Sequence, residues 1–357
     1  MTSDFQNFMR DAGSLMRAGD LQGATAAIQA ALQGHAPPPT TSGKPTKDAD
    51  VIDVEAREVA STGEGEAARP PVAPSAETTE RFTPGRHATA SDGRDYKLYV
   101  PPGAAGRSLP LVVMLHGCTQ NPDDFAAGTA MNALARERGF YVLYPAQSSK
   151  ANPQRCWNWF KHSHQQRGRG EAALIAGMTR DLMAAQGIDP QRVYVAGLSA
   201  GGAMAAILGT AYPELYAAVG VHSGLAAGAA TDLPSALAAM KGGAKAPAGT
   251  ASGVPTIVFH GDADATVHPA NAAQVMAASV GAGAGSERRE VDGARRASVQ
   301  LFRDGSGQVR GEQWTVHGAA HAWSGGNAAG SYADPAGPDA SAEMLRFFLA
   351  NPKSTPA

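Results

Sequence analysis

Short apolar runs alternate with amphipathic stretches from Arg81 to the end of the chain. Each run is four or five residues long, as is typical of strands buried on both faces of a parallel sheet. The runs are Leu111 to Leu115, Tyr141 to Tyr144, Val193 to Ala196, Ala218 to Val221 and Thr256 to Phe259. Helical patterns separate most of them, at Asp123 to Arg138, Glu171 to Gln186, Ala200 to Tyr212 and Ala270 to Val280. The alternation predicts an α/β domain over residues 81–357, with a mostly parallel, doubly wound sheet and helices on both faces.

The two ends of this domain carry other patterns. Arg86 to Ala90 and Tyr96 to Val100 flank Ser91-Asp92-Gly93, which predicts a hairpin. The late elements are two strands and a closing helix, at Val299 to Phe302, Gln313 to Val316 and Ala340 to Ala350. Because doubly wound sheets bind ligands beyond the carboxyl ends of their strands, we expect functional residues in the loops that follow strands.

The first 80 residues are organised differently. Apolar residues recur at helical spacing on either side of Ala18-Gly19-Asp20, which predicts an amphipathic helical hairpin over residues 1–33. Residues 34–80 are rich in Pro, Thr, Ser and Glu and almost lack aromatic residues, a composition typical of a disordered linker. Two interpretations of the hairpin stay open: a poorly packed appendage, or a docking element for a partner or a hydrophobic particle surface.

Composition narrows the class of protein. Hydrophobic residues make up 43% of the chain and charged residues 17%, which suits a globular core. The net charge of -2 gives no reason to expect nucleic acid or an anionic membrane as a partner. No apolar run approaches the ~20 residues of a membrane-spanning helix. The first residues lack the basic and apolar regions of a secretory signal, which favours the cytoplasm.

The stretch Gly197-Leu198-Ser199-Ala200-Gly201-Gly202 nominates a catalytic nucleophile. It joins a predicted strand to a predicted helix, and a serine between glycines in that context is the pattern of a nucleophile elbow. The turn must hold Ser199 in a strained backbone conformation. Side chains at Gly197 and Gly201 would collide with the neighbouring strand and helix. Ser199 is therefore the candidate nucleophile.

Acidic and histidine residues follow two later predicted strands. One strand is followed by His260-Gly261-Asp262-Ala263-Asp264, and another by His317-Gly318-Ala319-Ala320-His321. Together with Ser199 they give the chain order Ser, Asp, His. That is the order of the α/β-hydrolase fold, in which a histidine takes the serine proton and a buried carboxylate orients that histidine. The sequence therefore predicts a catalytic triad.

Each of these two loops offers a choice of residue. Asp264 is preferred as the carboxylate because it lies deeper in its loop, close to the apolar Val267, whereas Asp262 suits a turn cap. His321 is preferred as the base because it lies at the far end of its loop, from which it can reach Ser199. His317 is then a structural residue at a strand end.

The histidine spacing also permits a metal site, which the local sequence disfavours. His317 and His321 are four residues apart, but Gly318 and the glycines after His321 predict a loop rather than a helix. His162 and His164 lie in a polar, basic stretch and are expected at the solvated surface or at the rim of the site. We expect no metal and no cofactor.

An oxyanion needs two N–H donors. One is expected to be the backbone N–H of Ala200, directly after the nucleophile. The loop Leu115-His116-Gly117-Cys118-Thr119, which follows an earlier strand, is placed to supply the second. Gly117 lets the backbone approach the substrate closely, and the Cys118 N–H is the candidate donor.

One cysteine, Cys118, lies in this loop, and the other, Cys156, is followed by Trp157 and Trp159. Cys118 and Cys156 are the only cysteines, and they are either two buried thiols or a disulfide that pins the oxyanion loop to the segment after Cys156. A disulfide would not suit the cytoplasm, where thiols are kept reduced. Trp157, Trp159 and Trp323 are candidates for an aromatic wall that contacts an acyl or polymer chain, with ordinary core packing as the alternative.

These motifs together resemble the polyhydroxybutyrate (PHB) depolymerase family of serine esterases, which also contains feruloyl and acetylxylan esterase relatives. The matching stretches are Leu115 to Gln120, Cys156 to Phe160, Asp189 to Met204, His260 to Asp264 and His321 to Gly326. Many relatives are secreted, so the resemblance and the cysteine pair point to the extracellular region, against the expectation from the first residues. No polymer-binding domain is recognisable after the catalytic one.

The resemblance implies an α/β-hydrolase fold and a specific set of site residues. The implied triad is Ser199, Asp264 and His321, the implied oxyanion donors are Cys118 and Ala200, and the implied disulfide joins Cys118 to Cys156. The expected function is hydrolysis of carboxylic esters through an acyl-enzyme, on poly- or oligo-(3-hydroxybutyrate)-type or short-chain esters. The alternatives are a feruloyl or acetylxylan esterase, amide hydrolysis or acyl transfer by the same triad, and an interaction protein that acts through its N-terminal hairpin.

Overall fold

The computed structural model describes residues 79–89, 93–242, 251–280 and 285–353. All of them fall within one compact unit, Val72–Ala357. The hairpin predicted over residues 1–33 and the linker predicted over residues 34–80 lie outside the described residues, except for the last two linker residues.

A ten-stranded sheet forms the centre of the described part. Its strands are β1 Arg81–Ala88, β2 Gly93–Val100, β3 Leu111–Leu115, β4 Tyr141–Pro145, β5 Val193–Leu198, β6 Ala218–His222, β7 Thr256–Gly261, β8 Gly285–Val291, β9 Ala297–Arg303 and β10 Val309–Val316. A separate pair of short parallel strands consists of β11 Trp323–Ser324 and β12 Ala333–Asp334. Each predicted apolar run is a strand of the large sheet.

The strand order is β1-β2-β4-β3-β5-β6-β7-β10-β9-β8. The six strands from β4 to β10 in this order pair in parallel. Both ends of the sheet are antiparallel, because β1 and β2 form the predicted hairpin and β8, β9 and β10 form a meander. The prediction of a mostly parallel sheet is confirmed for the centre. Antiparallel strands extend this parallel centre at both ends.

Helices cover both faces of the sheet, as predicted. They are α1 Pro122–Thr129, α2 Met131–Arg138, α3 Gly170–Gln186, α4 Ala200–Ala211, α5 Leu233–Met240, α6 Ala270–Val280 and α7 Ala340–Ala350. One buried cluster contains residues of α3 to α6, and a second contains residues of α1, α2 and α7. In β3, Leu111, Val113 and Leu115 belong to the first cluster, while Val112 and Met114 belong to the second. Successive side chains of a strand point to opposite faces, so an unbroken apolar run serves both cores.

Two helices differ from their predictions. The helix predicted from Asp123 to Arg138 is divided at Ala130, whose φ of 52° ends α1 and begins α2. A left-handed residue cannot continue an α-helix, and the apolar spacing on both sides hid the break. The second difference is α5, which was not predicted. It begins with a capping box in which Asp232 and Ser235 satisfy each other's backbone N–H groups.

The strand β5 and the helix α4 approach β3 more closely than side chains would allow. A Cβ atom on Gly197 would lie 2.4 Å from the carbonyl carbon of Gly201. A Cβ atom on Gly201 would lie 2.0 Å from the carbonyl oxygen of Leu115. Non-bonded heavy atoms cannot approach this closely, so both positions require glycine. The glycines of the motif bring the start of α4 against the end of β3.

This close approach predicts a large effect of one added methyl group. We expect Gly201→Ala to lower the free energy of unfolding by at least about 2 kcal/mol, because backbone atoms must shift to make room. Urea denaturation followed by circular dichroism measures the change. Gly305→Ala is the matched control, since a Cβ atom there meets nothing within 4 Å, and it should change stability by less than about 0.5 kcal/mol. Equal stability of the two variants would contradict the prediction.

Candidate active site

Ser199 lies in the turn where β5 ends and α4 begins. Its backbone has φ 58° and ψ -119°. A non-glycine residue adopts such a conformation at a cost of about 1–3 kcal/mol, which the surrounding structure must offset. The Ser199 N–H donates to the carbonyl of His222 at 2.8 Å, which continues the pairing of β5 with β6. The strained turn that the sequence predicts is therefore present at Ser199.

The loops after β7 and β10 carry Asp264 and His321. These strands are parallel neighbours, and the loops run side by side beyond them, with the Ala263 N–H donating to the Ala319 carbonyl at 3.2 Å. The Nδ1 atom of His321 lies 2.7 Å from Oδ2 of Asp264. Because β5, β7 and β10 run in parallel, Ser199 lies at the same edge of the sheet as this pair.

The Asp264 carboxylate is fully buried and yet charged. Its Oδ1 accepts from the N–H groups of Thr266 and Val267, each at 2.9 Å. Burial by itself raises the pKa of this carboxyl, but hydrogen bonds from His260, His321 and the backbone outweigh burial and hold the pKa well below its usual range. Asp264 therefore remains an anion at neutral pH and keeps a proton on Nδ1 of His321.

His260 is a site residue to which the sequence assigned no role. Its Nε2 donates to the Val267 carbonyl at 2.8 Å and lies 3.4 Å from Oδ2 of Asp264. The imidazole is buried, so it shields the carboxylate from water on one side. The signal that could have identified it is its position, four residues before Asp264 and near the end of β7.

Asp262 and His317 form a second pair beside the first. Nδ1 of His317 lies 2.9 Å from Oδ2 of Asp262, and the Gly318 N–H donates to Oδ1 of Asp262 at 2.6 Å. The other ring nitrogen of His317 lies 2.7 Å from the hydroxyl of Ser298 in β9. The side chains of Asp262 and His317 are 41% and 34% exposed, against 0% and 11% for Asp264 and His321. This outer pair joins the same two loops at the surface.

The loop after β3 lies against the nucleophile. A Cβ atom on Gly117 would lie 3.7 Å from Cβ of Ser199. Nδ1 of the buried His116 donates to the Gly117 carbonyl at 2.7 Å, while its Nε2 accepts from the Gln147 N–H at 3.1 Å. The C=O and N–H of a trans peptide point in opposite directions, so this bond also sets the direction of the Cys118 N–H. Burial lowers the pKa of His116 to about 4, which keeps this ring neutral.

The predicted disulfide between Cys118 and Cys156 is confirmed. It joins the loop after β3 to the segment that precedes Trp157. The Thr119 N–H donates to the Gln154 carbonyl at 2.6 Å, so the two segments are also linked through their backbones. The alternative of two free thiols is wrong.

The proposed aromatic wall is not what the structure contains. Trp157, Trp159 and Trp323 are all buried. Trp157 and Trp159 belong to one hydrophobic core, and Trp323 belongs to the core on the opposite face of the sheet. A single exposed wall of these three rings is therefore a wrong prediction. Sequence alone does not reveal the burial of a tryptophan, because its ring suits a core as well as a binding surface.

His162 and His164 lie at the surface, as the sequence predicted, and away from the Asp264–His321 pair. His162 lies in a 3₁₀-helix at the surface, with Nε2 2.7 Å from the amide nitrogen of Gln166. His164 lies 3.5 Å from the buried carboxylate of Glu171 and is partly exposed. Within the part of the chain that the structure describes, no cluster of three metal-ligating side chains occurs. Among the helices of these same residues, none has the length and apolar character needed to span a membrane.

The arrangement is suited to nucleophilic catalysis. It combines a hydroxyl on a strained turn, an imidazole held in one tautomer by a buried carboxylate, and a backbone loop beside the hydroxyl. Such a set can transfer a proton from the hydroxyl to the imidazole and stabilise a developing oxyanion. Acyl transfer is one class of reaction that such a set of groups can support.

Comparison with protein families identifies a relationship over more than half of the chain. A family model described as esterase PHB depolymerase matches residues 94–300. The matched segment contains Ser199 and Asp264 and ends before His321. The resemblance predicted from the motifs is therefore confirmed.

Curated relatives match shorter parts. Poly(3-hydroxyalkanoate) depolymerase C of Paucimonas lemoignei is 40% identical over 186 residues, which cover 48% of this chain and 44% of that protein. Feruloyl esterase B of Neurospora crassa is 33% identical over 141 residues, which cover 38% of this chain and 47% of that protein. The chain thus spans about half the length of the curated relatives it matches.

A solved structure supports the fold. The acetyl xylan esterase from Aspergillus awamori superposes with a TM-score of 0.54, over 72% of this chain and 94% of that one, at 19% identity. Identity this low supports the fold alone. The predicted α/β-hydrolase fold is confirmed by this similarity and by the parallel sheet with helices on both faces.

The buried residue His222 makes the stability of the fold depend on pH. The ring is buried at the end of β6, where its Nε2 accepts from the Ser324 N–H at 2.9 Å. Burial, aided by nearby His260 and His321, lowers the pKa of His222 to about 3. An unfolded histidine takes up a proton near pH 6.5, whereas folded His222 does not, so stability is lost as pH falls below about 6.5.

We therefore expect the unfolding free energy of the protein to fall between pH 7 and pH 5, with His222 contributing about 2 kcal/mol of the loss. His222→Gln removes the titrating group and keeps a hydrogen-bond acceptor for Ser324. Its loss between the two pH values should be smaller than that of the parent by this amount, as measured by urea denaturation at each pH. Identical losses in the two proteins would show that His222 does not resist protonation.

Proposed function

The chain belongs to the esterase PHB depolymerase family, and on that premise we propose that it is a serine esterase that hydrolyses carboxylic esters through an acyl-enzyme. The proposed substrates are poly- or oligo-(3-hydroxybutyrate)-type or short-chain esters. The similarity to the Paucimonas lemoignei poly(3-hydroxyalkanoate) depolymerase supports this substrate class. The observation that carries the proposal is the 2.7 Å contact between Asp264 and His321, at the sheet edge that bears Ser199.

In the proposed acylation step, Nε2 of His321 takes the hydroxyl proton as Oγ of Ser199 attacks the ester carbonyl carbon. Asp264 holds the other ring proton on Nδ1 and stabilises the imidazolium that forms. The N–H groups of Cys118 and Ala200 are the proposed donors to the oxyanion. His321 then returns its proton to the alcohol oxygen, the C–O bond breaks, and the alcohol leaves.

Deacylation repeats the same steps with water in place of the serine hydroxyl. His321 removes a proton from water, whose oxygen attacks the acyl carbon bound to Ser199. The second tetrahedral intermediate is bound by the same two N–H groups. Collapse of this intermediate returns the proton to Oγ of Ser199 and releases the carboxylic acid.

The nucleophile assignment predicts a nearly complete loss of activity in one variant. We expect Ser199→Ala to lower kcat/KM for p-nitrophenyl butyrate by at least about 10⁴-fold, because no acyl-enzyme can form. Its unfolding free energy should not fall, because alanine fits the same turn. Hydrolysis is followed at 400 nm, and only the parent protein should be labelled by a fluorophosphonate probe. Substantial remaining hydrolysis by the purified variant would overturn the assignment.

The same assay compares the substrate classes. Soluble 3-hydroxybutyrate trimers and methyl ferulate are given to the parent protein, with Ser199→Ala as the blank. A higher kcat/KM for the trimer supports the proposed class. A higher value for methyl ferulate favours the second candidate, a feruloyl-type esterase, for which the similarity to feruloyl esterase B of Neurospora crassa is the specific observation.

The two aspartates on the loop after β7 are predicted to differ in effect. We expect Asp264→Asn to lower kcat about 10⁴-fold, because an amide can hold His321 in the wrong tautomer. Asp262→Asn keeps a hydrogen-bonding group in the outer pair, and its loss should stay below about tenfold. Steady-state kinetics on p-nitrophenyl butyrate at matched enzyme concentrations provides the comparison. A larger loss in Asp262→Asn would move the catalytic role to the outer pair.

A further inference from the structure

Tyr332 is an exposed aromatic residue beside the proposed catalytic histidine. Its side chain belongs to the few large apolar groups that face solvent, at 45% exposure. Within residues 79–89, 93–242, 251–280 and 285–353 it is the one exposed residue among the phenylalanines, tyrosines and tryptophans. Its ring and that of His321 are nearly perpendicular, with 6.5 Å between the ring centroids and 80° between the planes. Tyr332 therefore presents an exposed ring beside His321, whereas the rings of the three tryptophans are buried.

The backbone of Tyr332 is strained as well as exposed. Its φ is 51°, a region in which aromatic residues are outliers. An exposed ring gains little from packing, so the conformation must be imposed by the residues around it. The Tyr332 carbonyl accepts from the Trp323 N–H at 2.7 Å. On the other side, the N–H and hydroxyl of Ser331 donate to the carboxylate of Asp124 at 2.8 and 2.5 Å.

One side chain links this strained turn to the oxyanion loop. Gln120 is buried, and its Oε1 accepts from the Gly117 N–H at 2.9 Å. Its Nε2 donates to the carbonyl of Ser331 at 3.1 Å and to Asp124 at 3.0 Å. The backbone that carries the Tyr332 ring is thus held in a fixed relation to the loop that carries the Cys118 N–H. Strained backbone that its surroundings hold in place clusters at functional sites.

The position of the ring identifies the part of the substrate that it would meet. In the proposed reaction His321 gives its proton to the leaving alcohol, so the alcohol oxygen must come within hydrogen-bond distance of Nε2. Groups attached to that oxygen then extend over the surface next to the imidazole. The ring centroid of Tyr332 lies 6.5 Å from that of the same imidazole, so groups that extend over this surface would meet the tyrosine ring.

We propose that Tyr332 contacts the alcohol part of the ester and selects substrates in which that part is extended and apolar. This inference rests on the proposed esterase function. In an oligomeric hydroxyacid ester the alcohol part is another hydroxyacid unit, which is large enough to cover the ring. A methyl ester leaves the ring uncovered. Tyr332 is therefore a residue that determines specificity for the leaving group rather than for the acyl group.

Methyl butyrate and benzyl butyrate test the proposal, because they form the same butyryl-enzyme and differ only in the alcohol. Tyr332→Asn removes the ring while asparagine tolerates the positive φ. We expect it to lower the ratio of kcat/KM for benzyl over methyl butyrate by at least about tenfold. Tyr332→Phe keeps the ring and should retain the parent ratio within about twofold. Active sites are counted by fluorophosphonate titration.

The matched control is Leu349→Asn, which removes an exposed apolar side chain from α7. It should keep the parent ratio. An unchanged ratio in Tyr332→Asn, or an equal fall in kcat/KM for both esters, would overturn the inference and leave the proposed function standing. If the parent hydrolyses neither ester, or if Ser199→Ala hydrolyses them equally well, the proposed function fails and the inference fails with it.

Discussion

The buried carboxylate of Asp264 is the constraint on which the site depends. A carboxylate removed from water is stable only when hydrogen bonds replace its hydration. Two backbone N–H groups of its own loop supply part of that replacement. The imidazoles of His260 and His321 supply the rest. His260 comes from β7, while His321 comes from the loop after β10. Satisfying one carboxylate therefore holds two loops together, and the same contacts give His321 its orientation.

The two aspartate–histidine pairs differ in their exposure to solvent and in the elements that they connect. Asp264 and His321 are shielded from solvent, so the electrostatic attraction between them is strong and restricts the orientation of the His321 ring. Asp262 and His317 are partly exposed, and their contact with Ser298 ties the same loops to β9. An exposed pair contributes little stability by itself. Its contacts join the loops after β7 and β10 to each other at the surface.

The opposite side of the site is held by neutral groups. Three contacts fix the position of the loop after β3. They are the hydrogen bond from His116 to the Gly117 carbonyl, the Cys118–Cys156 disulfide, and the hydrogen bond from the Gly117 N–H to the Gln120 side chain. The glycines of the elbow bring α4 against the carbonyl of Leu115 at the start of that loop. Oxyanion stabilisation depends on donors that do not need to reorganise during the reaction, and rigid backbone supports of this kind meet that requirement.

The amino-acid sequence by itself determined the buried strands, the elbow and the order of candidate residues, because apolar runs and glycine positions reflect local steric rules. It also narrowed the carboxylate to Asp262 or Asp264 and favoured Asp264 from its place in the loop. Only the tertiary structure decided which aspartate faces His321, that Trp157, Trp159 and Trp323 are buried, and that Tyr332 is exposed. Burial and pairing depend on contacts between distant segments, and a local pattern contains no information about which distant segments will meet.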